Sequence, residues 1–473
     1  MHPYPVRRVA GLILGPIWLL AALTTPPPAG LSPEGWTVAG SALFMVTWWI
    51  SEAIPIPVTA LLPLVLFPLL GGIPIADAAA PYANPIVFLF MGGFLIATAM
   101  VRWNLHKRVA LKIILRTGTS PQSLVLGFMI AAAFVSMWVS NTATTVMMLP
   151  VALSVIVMLE ARVQKKFAVV LLLCVAYGAN IGGVGTLIGT PPNAFLAAFL
   201  ESEYGYTITF ARWLLVGLPV VGAGLFITYL ALTKLVYPLE SDSDPAGHAL
   251  IVSEIEKLGS MSRGERLVGA VFITTAVLWI TRPLLVPIFP NLTDAGIAMI
   301  GGIALFILPV DLKRGTFVHT WKAANTLPWG ALLLFGGGLS LAAAMSQSGL
   351  SEWIANMLDF VDLLPVLLII LVITTTIIFL TELTSNIATT ATFLPLLAAL
   401  AIGAGESPLL LALPATLAAS CAFMLPVATP PNAIIYGSER ITIPEMARAG
   451  LVLNVLFIAL VTALSYTLVV WVL

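Results

Sequence analysis

Charge is what this chain has least of. Asp, Glu, Lys and Arg make up 9% of its 473 residues, against 60% hydrophobic. A soluble domain averages about a quarter charged residues, so a globule of this size would have too little polar surface to face water. The longest polar stretch, roughly 240–266, is too short for a separate domain. That excludes a soluble enzyme carried on a membrane anchor. Net charge is zero, so no global field points to nucleic acid or to an acidic partner. Cysteine is scarce too. Cys174 and Cys421 sit in apolar runs as small hydrophobes, without the Cys/His spacing of a disulfide framework or metal site. The four histidines, His2, His106, His248 and His319, fall in expected termini or polar loops and take no role. A cleavable leader is not expected. The first apolar run ends in Pro26-Pro27-Pro28 rather than a small-residue cleavage site, and reads as the first span.

What is present is a series of apolar runs near the ~20 residues that cross a bilayer. The sequence predicts an all-α polytopic membrane protein of about 11 spans plus two helical hairpins. The spans fall near 9–25, 36–54, 57–72, 84–103, 167–200, 213–237, 266–288, 293–310, 327–348, 407–437 and 447–472, and the hairpins near 121–160 and 363–402. With the N-terminus inside, all but Arg212 and Arg282 of the 21 Lys and Arg fall on the cytoplasmic side of the cell (inner) membrane. The C-terminus then lies outside. The first hairpin opens inward and the second outward. Parity does not distinguish a hairpin that crosses from one that stops midway. The motif at the turn, Ser-Asn-Thr-Ala-Thr-Thr, carries no charge, Gly or Pro. That favours re-entrant hairpins, since non-helical backbone at depth is tolerated only beside protein or a wet cavity.

The chain repeats itself. Ser140-Asn141-Thr142-Ala143-Thr144-Thr145 returns as Ser385-Asn386-Ile387-Ala388-Thr389-Thr390, at an offset of 245. Pro150 and Pro395 match at the same offset, as does Leu89-Phe90-Met91-Gly92-Gly93 against Leu334-Phe335-Gly336-Gly337-Gly338. After each hairpin comes Thr-Pro-Pro-Asn-Ala, at 190–194 and 429–433, now at an offset of 239. Three matches in one order define a repeat. An odd number of full spans separates the hairpins, so the copies are inverted, an architecture of secondary transporters with binding near the midplane at broken helices. The division is 1–35, an N-terminal span; 36–237, the first repeat with its broken span 167–200; 238–265, a cytoplasmic linker; and 266–473, the second repeat with its broken span 407–437. Gly92-Gly93 and Gly336-Gly337-Gly338 read as close-packing positions.

Each copy supplies a hairpin motif rich in hydroxyl and amide oxygens and a break whose prolines free backbone carbonyls. Neutral oxygens of this kind suit a hard monovalent cation such as sodium. The new helix N-termini suit an anion. No Lys or Arg lies within either motif, so co-bound cations are the natural counter-charge for a small anionic substrate.

At these residues the sequence resembles the divalent anion/sodium symporter family, whose members transport dicarboxylates, citrate or sulfate. The resemblance runs over the whole chain. It implies a homodimer with scaffold and transport domains, an elevator mechanism, and two or more co-transported sodium ions. It implies a first sodium site at Ser136, Ser140, Asn141 and the Gly189 carbonyl, and a second at Thr381, Ser385, Asn386 and the Ala428 carbonyl. The repeat offset independently carries Ser136 onto Thr381. Carboxylate contacts implied are Asn141, Thr142, Thr190, Asn386, Thr429 and Pro430. The family often has Ser-Asn-Thr in both copies, yet here Ile387 stands opposite Thr142, so one end of the substrate is met less polarly.

The expected function is sodium-coupled symport of succinate-, malate- or fumarate-like di- or tricarboxylates. A sodium-independent dicarboxylate exchanger or a sulfate transporter on the same fold stays open. A channel would pass unsaturable current, and an enzyme would need a nucleophile or metal constellation at depth that the sequence lacks. Glu382 has two readings: a functional intramembrane carboxylate, or a cap for backbone at the hairpin tip. Glu52, after Trp48-Trp49, reads as an interfacial anchor.

Overall fold

In hydrocarbon every backbone N–H and C=O must be satisfied within the protein, which leaves helices as the element for this composition. The computed structural model describes residues 6–118, 120–159, 165–239, 245–357 and 365–471. His2, Arg162 and the outer hairpin ends at 160 and 363–364 lie outside the described residues. The chain is helical almost throughout. Among the described residues nine helices are long and apolar enough to cross a membrane, and further apolar helices are shorter.

The first half starts with α1 (Val6–Thr24) packed on α2 (Pro33–Ser51). Ser32 caps α2 by accepting from Gly35 N at 2.9 Å, and Glu52 ends it in a left-handed conformation. The expected span 57–72 is not one helix. It is α3 (Ile56–Thr59) and α4 (Pro63–Leu70), because Pro63 can neither donate to the preceding turn nor fit over it. After α5 (Ile75–Ala79) and a 3-10 turn come α6 (Pro85–Arg102) and α7 (Leu105–Thr117). The first hairpin is α8 (Pro121–Ser136) and α9 (Asn141–Leu159), and the first broken span is α10 (Lys165–Gly183) and α11 (Pro191–Tyr204). The last span of this half, α12 (Phe210–Leu230), runs on into a π-helical turn at Ala231–Val236.

The expected linker 238–265 contains a helix, α13 (Pro245–Lys257), packed against α7 and α9. Lys107 bonds Glu254 at 3.2 Å, and Arg108 of α7 bonds Glu265 at 2.7 Å. Arg108 also donates to the Gly259 and Leu258 carbonyls. The linker is therefore a docked element, held by charges that a hydropathy reading assigns to a loop. His106 and His319 are likewise buried rather than in open loops. Burial lowers both imidazole pKa values below the ordinary value, and His106 meets the Met100 carbonyl while His319 meets Thr98.

The second half holds α14 (Arg263–Leu285), α15 (Asp294–Ile307), a small β1–β2 ribbon (Pro309–Asp311 with Thr316–Phe317), α16 (Trp321–Ala324), α17 (Trp329–Gln347) and α18 (Leu350–Met357). The second hairpin is α19 (Val366–Thr381) and α20 (Asn386–Gly403). The second broken span is α21 (Leu409–Ala419) and α22 (Pro430–Tyr436), and α23 (Ile443–Trp471) closes the chain. Helices α7 and α18, not expected from hydropathy, start at Leu105 and Leu350, again 245 apart.

The halves interlock through their glycines. A Cβ on Gly92 of α6 would lie 2.5 Å from the Ala298 carbonyl carbon of α15, and one on Gly337 of α17 would strike the Ala60 carbonyl just after α3. Each glycine helix thus presses on the other half of the chain. Gly92→Ala and Gly337→Ala are each expected to cost ~1–3 kcal/mol through overpacking, read as a lower melting temperature in detergent. Gly222→Ala, with nothing within 4 Å of the new methyl, serves as the neutral control.

Candidate functional site

The Ser-Asn motif is not the hairpin turn itself. The turns run over 137–140 and 382–385, and the asparagines begin α9 and α20. Capping explains the shift. Ser140 Oγ accepts from Ala143 N at 3.3 Å, and Ser385 holds the extended conformation of an N-cap. Thr145 and Thr390 donate back to the Asn141 and Asn386 carbonyls, at 2.9 and 2.8 Å. Both asparagines therefore project from helix N-termini, where the backbone dipole is positive.

Behind each asparagine sits the residue that the repeat offset pairs. Ser136 Oγ donates to Asn141 Oδ1 at 2.5 Å, and Thr381 Oγ1 lies 2.9 Å from Asn386 Oδ1. Thr381 Oγ1 is also 2.9 Å from the Ala419 carbonyl. A hydroxyl has one hydrogen, so one of these two acceptors is free for another partner.

The breaks follow the same scheme. Thr190 and Thr429 are extended N-caps, at φ −143° and −140°, and Pro191 and Pro430 open the following helices, where a missing N–H does no harm. The asparagine of each Thr-Pro-Pro-Asn has a role that sequence reasoning did not assign. Asn193 Nδ2 reaches the carbonyls of Gly183 at 3.2 Å, Val184 at 3.2 Å and Thr186 at 2.8 Å. Asn432 Nδ2 reaches Ala422 at 3.2 Å and Leu425 at 3.1 Å. The offset of 239 pairs Gly183 with Ala422 and Thr186 with Leu425. One side-chain amide per break thus occupies the carbonyls that the lost helix left behind.

These pieces converge on a cavity of about 580 Å³. Ser140, Asn141, Thr142, Gly189 and Thr190 line it from the first half, and Ser385, Asn386, Ile387, Ala428, Thr429 and Pro430 from the second. Ser136 and Thr381 stand one layer back, fully buried. Among the described residues no Lys or Arg lines the cavity. Gly183 is required beneath Asn141, since a Cβ there would lie 2.7 Å from Asn141 Oδ1 and 3.2 Å from the Gly189 carbonyl oxygen. Glu52, expected as an interfacial anchor, borders the cavity and pairs with Arg7 at 3.5 Å and Arg8 at 3.2 Å. Glu382 caps backbone, accepting from Phe423, Met424 and Leu425 N–H groups and from Asn454.

Asn180 was missed altogether. It lies in α10, borders the cavity, and donates to Thr429 Oγ1 at 3.1 Å and Asn432 Oδ1 at 3.4 Å. Thr429 Oγ1 also accepts from Asn432 N at 3.3 Å. With two donors on its lone pairs, that hydroxyl has its hydrogen left for an acceptor in the cavity. Asn180 thereby ties the first half to the second break. The repeat could not reveal it, because its counterpart is Ala419. A lone amide inside the apolar run 167–181 was the available signal.

The fold is that of a multi-pass helical membrane protein. The chain superposes on the YdaH transporter of Alcanivorax borkumensis with a TM-score of 0.62 over 99% of each chain, at 13% identity. On MtrF of Neisseria gonorrhoeae, described as belonging to a class of antimetabolite efflux pumps, the TM-score is 0.61 at 14% identity, over 100% of this chain and 96% of that one. Those likenesses concern the fold alone. Residues 7–473 match the model of the sodium:sulfate symporter transmembrane region, and the chain belongs to that family. The sodium-dependent dicarboxylate transporter SdcS of Staphylococcus saprophyticus is 43% identical over 98% of this chain and 92% of its own. SdcS of Staphylococcus aureus strain USA300 is 42% identical over 99% and 92%.

Asn180→Ala leaves Asn432 Oδ1 without that donor and lets the Thr429 hydroxyl turn. An unsatisfied buried acceptor costs about 1–3 kcal/mol of stability, so the melting temperature is expected to fall, and with the Thr429 hydroxyl no longer fixed the substrate KM is expected to rise roughly tenfold. Radiolabelled uptake measures it, and an unchanged KM assigns Asn180 to packing alone.

Proposed function

We propose that this chain is a sodium-coupled importer of di- or tricarboxylates of the succinate, malate or fumarate type, seated in the cell membrane with its N-terminus cytoplasmic and its C-terminus outside. The carrying observation is the pair of oxygen-rich half-sites around one cavity that, among the described residues, no Lys or Arg lines. The names of its relatives, sodium-dependent dicarboxylate transporters at 43% and 42% identity, support the same reading.

In this reading Ser136, Ser140, Asn141 and the Gly189 carbonyl serve one sodium ion. Thr381, Ser385, Asn386 and the Ala428 carbonyl serve a second. The substrate lies between them. Asn141 and Asn386 turn their amide oxygens to the cations and their N–H groups to the carboxylates. Thr142, Thr190, Thr429 and Pro430 complete the anion's surroundings, with Thr429 as a donor held in place by Asn180 and the Asn432 amide. Ile387 packs against the substrate where Thr142 donates, so the two carboxylate ends are treated unequally. Two carboxylates entering a low-dielectric cavity without counter-charge would be strongly disfavoured. Two cations alongside offset that penalty, and this makes uptake of one depend on the other.

The transport step is an elevator movement of the two hairpins and broken spans, with α12 and α23, against a scaffold built from α1–α4, α6, α14, α15 and α17. Two copies assemble through that scaffold as a homodimer.

The test is uptake into proteoliposomes. Replacing external sodium by choline should abolish accumulation of labelled succinate, and so should Asn141→Ala or Asn386→Ala in sodium. Sodium-independent uptake, stimulated by unlabelled dicarboxylate loaded inside, would instead identify an exchanger. Sulfate that competes as well as succinate would move the substrate class to inorganic divalent anions.

A further inference from the structure

The cavity between the half-sites adjoins a second chamber, of about 520 Å³. Phe94, Ser140, Thr142 and Pro328 line both. Beyond that shared wall the chamber is bounded by Thr98 and Arg102 of α6 and by Ala323 and Thr326 around the end of α16. Among the described residues Arg102 is the one charged side chain on its wall.

Arg102 is held in place without being neutralised. It is the last residue of α6. Its Nη1 donates to Thr320 Oγ1 at 3.4 Å, and its guanidinium lies 5.7 Å from the centroid of the Trp103 ring. Trp103 is fixed in turn, donating Nε1–H to the Val318 carbonyl at 2.8 Å. Neither partner of Arg102 is an anion, and no ion pair to it occurs among the described residues. The negative end of the α6 dipole amounts to roughly half a charge, so net positive charge stays on the chamber wall. The arginines at the other edge of the cavity differ, since Arg7 and Arg8 both meet Glu52. The repeat offset sets Arg102 against Gln347, the last residue of α17. Only one half of the chain therefore carries this charge at the end of its glycine helix. A guanidinium presents N–H donors in a fork that matches a carboxylate, and most of that fork is left unused here.

We propose that this chamber is a second, weaker dicarboxylate subsite, in which Arg102 takes one carboxylate of the substrate outside the cavity between the half-sites. Ser140 and Thr142 on the shared wall bring hydroxyls to the other end of the same anion. An occupant of this chamber needs no sodium, because its counter-charge is the protein's own. The substrate class rests on the dicarboxylate reading above.

Thr326→Cys puts a thiol on the chamber wall, while the natural Cys174 and Cys421 are buried. Maleimide labelling of that purified variant in sodium-free choline buffer, at constant ionic strength, is expected to slow as succinate is added. With Arg102→Gln, which installs the residue of the other half, the succinate concentration for half-protection should rise at least about tenfold. Arg102→Lys keeps the charge and loses the fork, and should fall between the two. Neither Arg102 variant should move the midpoint of thermal stabilisation by succinate in sodium by more than about twofold. Protection that requires sodium, that survives Arg102→Gln, or that chloride gives at the same concentration overturns the proposal. Absence of protection in choline overturns it from Thr326→Cys alone, even where an Arg102 variant does not fold. Succinate that fails to stabilise the wild-type protein in sodium overturns the dicarboxylate reading and the substrate class assigned here. Stabilisation in sodium without protection in choline overturns the subsite alone.

Discussion

A membrane segment that stops being helical partway along must find partners for its backbone in a place without bulk water. Asn193 and Asn432 meet that requirement here. Each spreads one amide nitrogen over the carbonyls at the end of the preceding helix, Gly183 and Thr186 in one break, Ala422 and Leu425 in the other. The prolines before them let the next helix begin without a missing donor mattering. With the loops held, the threonine caps sit at fixed points, and the Ser-Asn helix starts face them across one cavity. Loosening either asparagine would leave carbonyls unpaired at depth and also displace the caps.

The frame around this arrangement is close to symmetric. Gly92 on Ala298 and Gly337 on Ala60 are close glycine contacts that each join one half to the other. Small residues are how membrane helices come this near. Chemistry enters where the symmetry fails. Thr142 faces Ile387, Asn180 has only Ala419 as counterpart, and Glu382 stands where the first half has Met137. A perfectly repeated site would treat both ends of a substrate and both cations alike. Under the proposed function these three differences would make the two ends of the substrate, and the two cations, unequal.

The repeat made much of the site readable before any coordinates. Two strings kept at matched spacing pointed to both hairpins and both breaks, and their offset sets Ser136, implied by the family resemblance, against Thr381; both hydroxyls hydrogen-bond the asparagine of their own hairpin. What escaped did so for physical reasons. Helices α7, α13 and α18 carry mixed polar and apolar faces, so hydropathy reads them as loop. The span expected at 57–72 is apolar throughout, and only the backbone chemistry of Pro63 divides it. Hydropathy also does not tell a polar turn from a capped helix start, so the Ser-Asn string was read as loop although its serine is the cap. Asn180 and the clamping asparagines act through contacts between segments far apart in sequence.

Charge balance links these features to function. Glu52 at the cavity edge is answered by Arg7 and Arg8, whereas Glu382 is met by dipoles alone. Glu382 therefore has no formal counter-charge among the described residues. A dicarboxylate approaching it meets repulsion together with the loss of its own hydration. A cation meets attraction, amide and carbonyl oxygens, and a hydroxyl with one hydrogen between two acceptors. Under the proposed function the favourable order is then cation first and anion second, since each cation that enters makes the field the anion must cross less negative. Coupling needs no moving part of its own in this arrangement. Under the proposed function it follows from two oxygen-rich half-sites around a cavity whose wall holds no lysine or arginine among the described residues.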